Sequence, residues 1–357
     1  FLERINVIHL NMKLVNCLIV VLALMMTSLD ANSQQYASTR VKDKYQTYTD
    51  SLKQVEYNYV FPIWGQQAYS KGFDIPYPAG LMGNYMWMSQ GIVIDNLQLG
   101  VKTDEVDIPL TPVDFIEFGE NTNDAYSINV RPDLWIFPFL NVYGIFGYGE
   151  SSTEVNLTFP ISLQSNVDQG LRTAGFGVMG AGGVGPVWIS VDANFTWSKP
   201  DLLDEPVLVN VLGLRLGHTF EFKNRPQSNL ALWAGGMRQS MSSVTKGEIQ
   251  LIDVISPEAW ERRDEIVMDY YNWYENEATP PQKIVADKVL TPIVERLEAA
   301  DGSTIIRYGM DKQVEQKWNG IIGIQYQLNK RWMFRSEGGI IGNRKSILLS
   351  LNYRFLL

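Results

Sequence analysis

Apolar and polar residues alternate with a period of two along much of the chain, the pattern of a strand with one apolar face. In the last such stretch, Ser346 to Phe355, every second residue is apolar or aromatic: Ile347, Leu349, Leu351, Tyr353 and Phe355. Two stretches before it, 317–327 and 331–340, repeat the pattern and are joined by short turns. The pattern predicts an antiparallel meander at the C-terminal end of the chain.

The same alternation is sharp over Val187–Ser198 and noisier elsewhere, and eleven strands can be counted in all. The noisier stretches are 84–101, 124–136, 139–149, 153–163, 171–182, 207–222 and 227–240. Strands of about ten residues suit a tilted crossing of a bilayer, whereas a soluble sandwich uses about five or six. Bacterial barrels have even strand numbers. We therefore predict an all-β fold, a transmembrane antiparallel β-barrel of about 12 strands, with Val113–Phe118 or part of 243–255 as the missing strand.

The beginning of the chain has the pattern of an export signal. Leu14 to Met26 is apolar and uncharged, but shorter than the about 20 residues that a membrane helix needs. Met12 and Lys13 precede this run and Ala31-Asn32-Ser33 follows it, as in a secretory signal peptide. We expect residues 1–33 to be upstream residues and a cleaved signal peptide, and the protein to reside in the outer membrane.

Two segments depart from the strand pattern. Residues 34–80 are first polar and then rich in Pro, Gly and aromatic residues, so they either plug the lumen or lie across the periplasmic mouth. Residues 256–300 have helical spacing, with Ser256 as the N-cap and Pro257 in the first turn. Pro280-Pro281 divides this insertion, which predicts a helical hairpin in one loop. The barrel itself would occupy 81–357.

Composition limits the chemistry. The chain has 357 residues, a formal net charge of −9 and no basic cluster, which excludes nucleic acid as a partner. Its mature part would have no cysteine and one histidine, His218, so a zinc or copper site is not expected. We predict no metal and no cofactor, and we assign no catalytic residue.

Several short motifs resemble an uncharacterised family of Gram-negative outer-membrane β-barrel proteins. The resemblance runs from about residue 60 to the C-terminus, with 256–300 as an insertion. It implies a barrel and an outer-membrane location, and it carries over no site residues. The matching stretches are Phe61–Gly65, Ile75-Pro76, Asn84–Met86, Pro138–Gly144, Asp192–Asn194 and Gly342–Phe355.

The polar faces of the predicted strands supply the candidate site. Charged residues of both signs on these faces would point into the lumen, where they either pair into a seal or line a small polar channel. The lumen-lining candidates are Asp192, Arg215, Glu221, Lys317, Arg335, Glu337 and Arg354.

Three functions are compatible with these features. The first is passive or gated transport of small solutes, and the second is a structural or surface-binding barrel that displays the 256–300 hairpin. The third is a lipid-modifying enzyme using His218, which the alternation places on the lipid-facing side, although no serine motif accompanies it. Expected partners are outer-membrane lipid and the barrel-insertion machinery, which would recognise the C-terminal strand ending at Tyr353-Arg354-Phe355.

Overall fold

The computed structural model describes residues 47–103, 107–184, 187–222, 225–242 and 244–357. The predicted signal peptide and the first part of the 34–80 segment lie outside the described residues. None of the described helices has the length and apolar character needed to cross a bilayer.

The strands form one antiparallel sheet of 14 members. They are β1 (Ala79–Lys102), β2 (Asp107–Pro112), β3 (Glu117–Phe118), β4 (Asn121–Phe137), β5 (Leu140–Phe159), β6 (Leu163–Val184), β7 (Val187–Pro200), β8 (Val207–Phe222), β9 (Arg225–Met241), β10 (Val244–Gln250), β11 (Ile305–Val314), β12 (Trp318–Gln327), β13 (Trp332–Ile341) and β14 (Lys345–Phe355).

The sheet closes on β1. The first part of β1 pairs with β14 on one side, where Ala79 lies opposite Phe355, and with β4 on the other, where Ala79 lies opposite Leu134. The closed ring contains 10 strands, namely β1, β4 to β9 and β12 to β14. The second part of β1 extends beyond this ring and pairs with β11 and β2.

The prediction of about 12 strands in the barrel was wrong. Two predicted strands, 139–149 and 153–163, are the single strand β5, which pairs with β6 without interruption. On the outer face of β5, Glu150 and Ser152 follow Phe146 and Tyr148, at the point where the strand leaves the apolar band. Because polar residues such as these are also common in turns, the sequence suggested a turn at this point. Of the two candidates for the additional strand, part of 243–255 corresponds to β10, which pairs with β11 outside the ring, and Val113–Phe118 contains the two-residue strand β3, which pairs with β5.

The outer wall of the ring is apolar. Because lipid offers no hydrogen bonds, only a helix or a closed sheet satisfies its own backbone there, and a barrel must present apolar side chains outward. The exposed apolar side chains include Leu81, Tyr85, Ile128, Val130, Phe146, Tyr148, Phe176, Ile189, Leu214, Leu216, Leu232, Ile322, Ile324, Phe334, Leu349 and Leu351. This closed ring with an apolar exterior is a transmembrane β-barrel.

The two ends of the barrel differ. At one end, called here the short-turn end, strands are joined by connections such as 138–139 and 328–331. At the other end, β2, β3, β10, β11 and a helical segment form a cap. The helices of the cap are α3 (Leu251–Val254), α4 (Pro257–Glu261), α5 (Arg263–Asn276), α6 (Pro280–Val285), a π-helix (Ala286–Leu290) and α7 (Thr291–Glu298), while α1 (47–53) and α2 (Gly65–Ser70) precede β1.

The predicted helical segment is present and is part of a packed core. Ser256 caps α4 by accepting a hydrogen bond from the Ala259 amide at 3.3 Å, as its sequence position predicts. Tyr270 and Trp273 on α5 are buried, and Trp273 stacks on Phe115 with ring centroids 5.5 Å apart. Val101 of β1 and Leu163 of β6 belong to the same apolar cluster as these helices, so the cap is joined to the barrel through apolar contacts.

The described part of the N-terminal segment contacts the short-turn end. The Ile63 amide donates to the Ile136 carbonyl at 2.8 Å, and Trp64 packs against Phe137 with centroids 4.9 Å apart. Lys330, in a short connection, forms an ion pair with Asp74 at 2.9 Å. The segment is thus fixed to the turns on two sides of this end.

The apolar outer wall generates a prediction for Ile128, which lies within β4 and is 65% exposed. We expect Ile128→Arg to destabilise the folded barrel by about 2–4 kcal/mol, the cost of a cation near the bilayer midplane. Guanidinium unfolding of the protein in lipid vesicles measures this difference.

Val244→Arg is the matched control, because Val244 is equally exposed, at 64%, but belongs to β10 in the cap. It should change the free energy of unfolding by less than about 0.5 kcal/mol, as an ordinary surface substitution does. Equal costs at the two positions would contradict the assignment of the ring, and not the cap, to the membrane.

Candidate functional site

A buried ion cluster crosses the lumen. Arg215 on β8 lies between Asp192 on β7 and Glu337 on β13, and all three are buried. The Arg215 Nε and Nη2 atoms donate to the two Glu337 carboxylate oxygens at 2.6 and 2.8 Å, and Nη1 donates to Asp192. Arg335 also donates to Glu337, at 2.8 Å. Two cations and two anions therefore balance in one cluster.

Trp233 completes the surroundings of Glu337. Its indole nitrogen donates to Glu337 at 2.8 Å, and its ring lies under the Arg335 guanidinium, 4.7 Å from the centroid. The ring covers Gly323 on the neighbouring strand, where any Cβ atom would collide with it. Glycine at that position is what allows the indole to reach the ion cluster.

A second polar cluster lies nearer the short-turn end. Arg354 pairs with Asp133 at 2.9 Å, and Asn141 donates to the same carboxylate, also at 2.9 Å. Arg354 Nε donates to the Tyr77 carbonyl at 2.8 Å. This cluster ties the last strand to the N-terminal segment, and it joins β14 to β4, the two strands that flank β1 in the ring.

The predicted lumen residues fall into three groups. Asp192, Arg215, Arg335 and Glu337 meet in the first cluster, and Arg354 belongs to the second. Glu221 keeps the inward register of β8 but is exposed at the short-turn end of that strand.

The prediction for Lys317 is corrected by the structure. Lys317 is exposed in the connection before β12, which begins at Trp318, so it does not line the lumen. The alternation of 317–327 continues one residue past the true start of the strand, which is why the sequence assigned Lys317 an inward position.

A large apolar chamber lies between the first ion cluster and the cap. Its volume is about 590 Å³. Arg215, Arg335 and Glu337 form part of one boundary, and the helical segment forms another through Tyr270 and Leu297. Most of the remaining lining is aliphatic or thioether, as in Met86, Met88, Ile92, Ile94, Leu171, Val209, Val211, Met237, Met241, Ile306, Met310 and Leu348.

Sequence reasoning missed this chamber. It treated polar positions as the lumen-facing ones, whereas Met86, Met88, Ile92 and Ile94 on β1 face the chamber. One feature of the sequence could have indicated the chamber. The alternation is weak over 84–101 because both faces of that strand carry apolar residues.

His218 lies on the outer wall, on the same face of β8 as Leu214 and Leu216. Its ring packs on Phe220 with centroids 4.4 Å apart, and its Nδ1 atom has no hydrogen-bond partner among the described residues. A serine nucleophile would need hydrogen-bond contact with this ring, and the described part of the chain shows no such contact. In the same part of the chain, no group of three or more His, Cys, Asp and Glu side chains is placed to hold a metal ion.

No protein-family model and no curated protein matches the chain. Among solved structures, the beta domain of the Bordetella autotransporter Brka matches with a TM-score of 0.36 and 8% identity, covering 78% of this chain and 100% of that one. The translocator domain of NalP from Neisseria meningitidis matches with a TM-score of 0.31 and 12% identity, covering 90% and 100%. TM-scores this low carry no argument about the role of this chain.

The class of the protein follows from its own geometry. A closed antiparallel ring with an apolar outer wall and buried charges inside is an outer-membrane β-barrel, since bilayer-spanning strands must leave no open edge. Its lumen contains two polar clusters and, beneath the cap, an apolar chamber.

The first ion cluster generates a stability prediction. Glu337→Ala leaves Arg215 and Arg335 without their shared carboxylate, so we expect a loss of about 3–5 kcal/mol in the free energy of unfolding, as when one partner of a buried ion pair is removed. Chemical unfolding in vesicles measures the loss.

The double variant Arg215→Met/Glu337→Leu is the control, because it removes charges of both signs and leaves Asp192 with Arg335. It should cost clearly less than Glu337→Ala alone, since an apolar replacement of an ion pair is often close to neutral. Additive losses in the double variant would show that the cluster does not act as a pair.

Proposed function

We propose that this outer-membrane barrel binds small apolar molecules in its chamber and passes them across the outer membrane. The observation that carries the proposal is the chamber itself, about 590 Å³ of largely apolar surface inside a transmembrane barrel. Pockets that bury small organic ligands have volumes of about 300–1,000 Å³ and mostly apolar walls. A lumen for water and ions would instead be polar along its length.

The ion clusters argue against a permanently open polar channel. Their charges are paired with one another inside the barrel, and the residues of the first cluster form part of the chamber boundary. For passage of a solute, we propose that the first cluster acts as the gate on that side. Short turns face the periplasm in bacterial barrels, so in this proposal the cap and the chamber face the cell exterior, and the described residues 47–80 lie at the periplasmic mouth.

The alternative of a barrel that displays a helical hairpin has less support. Tyr270 and Leu297 of the helical segment line the chamber, and the segment's apolar face is buried in the cap core. In the present proposal the segment is a lid over the chamber. Outer-membrane lipid and the barrel-insertion machinery, which would recognise β14, remain the expected partners.

Filling the chamber tests the proposal. Met88→Trp combined with Val209→Trp replaces two chamber-lining side chains by larger ones, so less space remains for a ligand. We expect intact cells that produce this variant to take up radiolabelled naphthalene at least about fivefold more slowly than cells with the unaltered protein, because less of the pocket remains to bury the solute.

Met88→Leu is the matched control, since it keeps the side chain apolar and of similar volume, and it should leave uptake unchanged. Heat-dependent mobility in gels shows whether each variant folds. Uptake that is the same with the filled chamber, or in cells without the barrel, would contradict the proposed function.

A further inference from the structure

Three cations that border the chamber have no ion-pair partner among the described residues. Arg344 lies in the connection between β13 and β14 and Lys312 lies on β11, and both belong to the chamber wall. A third, Arg131 on β4, has its guanidinium over the Tyr143 ring, 3.4 Å from the centroid. The other charged chamber residues, Asp192, Arg215, Arg335 and Glu337, take part in the first ion cluster. The wall charges that lack an ion-pair partner in the described part of the chain are therefore all positive.

Arg344 carries the inference furthest. Its side chain is among the most deeply buried in the protein, with 2% exposure. Its Nε atom donates to Gln90 at 2.9 Å, but Nη1 and Nη2 are buried without a hydrogen-bond partner among the described residues. Leaving a charged donor unpaired is costly. Two free guanidinium donors that lie in parallel form the fork that binds a carboxylate or phosphate through two hydrogen bonds.

Lys312 supports the same interpretation. Its ammonium group donates to the Thr153 hydroxyl at 3.1 Å, a neutral partner. Burial lowers the pKa of Lys312 to about 8 and that of Arg344 to about 10, and no neighbouring carboxylate offsets this effect in either case. On the inner face of β1, Gln90 contacts Arg344, and Ile94 is opposite Lys312. Gln90 and Ile94 are four positions apart on β1, which corresponds to about 13 Å along the strand at 3.3 Å per residue.

We propose that the chamber binds a single-chain amphiphile whose anionic headgroup is held by Arg344, with Lys312 adding attraction, and whose hydrocarbon tail fills the apolar space. This inference rests on the proposed function and specifies its ligand. The free guanidinium donors supply the headgroup contacts, and side chains such as Met88, Val209 and Met241 supply the surface for the tail.

Matched probes with one tail length test this proposal. Radiolabelled dodecanoate, dodecan-1-ol and dodecylammonium are each titrated against the full-length protein in nanodiscs at neutral pH, and binding to empty nanodiscs is subtracted. We expect dodecanoate to bind at least about tenfold more tightly than dodecan-1-ol, the factor that one charge-assisted hydrogen bond contributes. Dodecylammonium should bind most weakly.

Substitutions test which residues cause the preference for dodecanoate over dodecan-1-ol. Arg344→Met and Lys312→Met should each reduce the preference for dodecanoate, with the larger loss for Arg344→Met, and both should leave the affinity for dodecan-1-ol unchanged. Lys345→Met is the matched control, because it removes an exposed positive charge next to Arg344 in the chain, and it should keep the full preference.

The outcomes separate the two levels of the proposal. Equal binding of all three probes to the unaltered protein would leave the apolar chamber intact and overturn the anionic headgroup. Binding of none of the probes would overturn the proposed function itself. Because the probe comparison needs no variant, the headgroup inference can be rejected even if a substitution at Arg344 prevents folding.

Discussion

The interaction on which the lumen depends is the pairing of Arg215 with Glu337 and Asp192. A barrel of this size brings inward side chains from different strands together, and burying a charge in that space is costly unless the charge is paired and hydrogen-bonded. Arg215 reaches Glu337 from β8 to β13, across two intervening strands of the ring. The pair therefore joins strands that are not neighbours in the wall, and we propose that it divides the lumen at the same time.

The rest of the interior follows from that division. Towards the short-turn end, Arg354 and Asp133 add a second pair, and the N-terminal segment lies on the turns. Towards the other end, β1 and β5 extend past the ring, and the extra strands and helices close over the top. The space between the ion cluster and this cap has mainly apolar side chains, so it suits a hydrocarbon ligand rather than hydrated ions.

The sequence predicted the wall of the barrel better than its interior. The alternation of Ile347, Leu349 and Leu351 identified the outer face of β14, and Ser256 with Pro257 identified the start of a helix. Both signals are local, because they depend only on strand period and on capping. The strand count was wrong because Glu150 and Ser152 resemble a turn, although they continue β5 where it leaves the apolar band.

The candidate site could be predicted only in part for the same reason. Asp192, Arg215, Arg335 and Glu337 were found as inward charges, but their pairing depends on which strands face each other across a closed ring. Arg344 was not found, since it lies in a connection where side-chain direction has no fixed period. The chamber was hidden because its apolar lining weakens the alternation that reveals strands.

Single-channel recording in planar lipid bilayers tests the central claim most directly, namely that paired charges close the lumen and separate an apolar chamber from the short-turn end. The account predicts that the unaltered protein gives no steady ion current, and that currents appear when Arg215 and Glu337 are both replaced by alanine. A steady conductance through the unaltered protein that is insensitive to these two residues would contradict it, because ions would then cross a lumen that the cluster does not close.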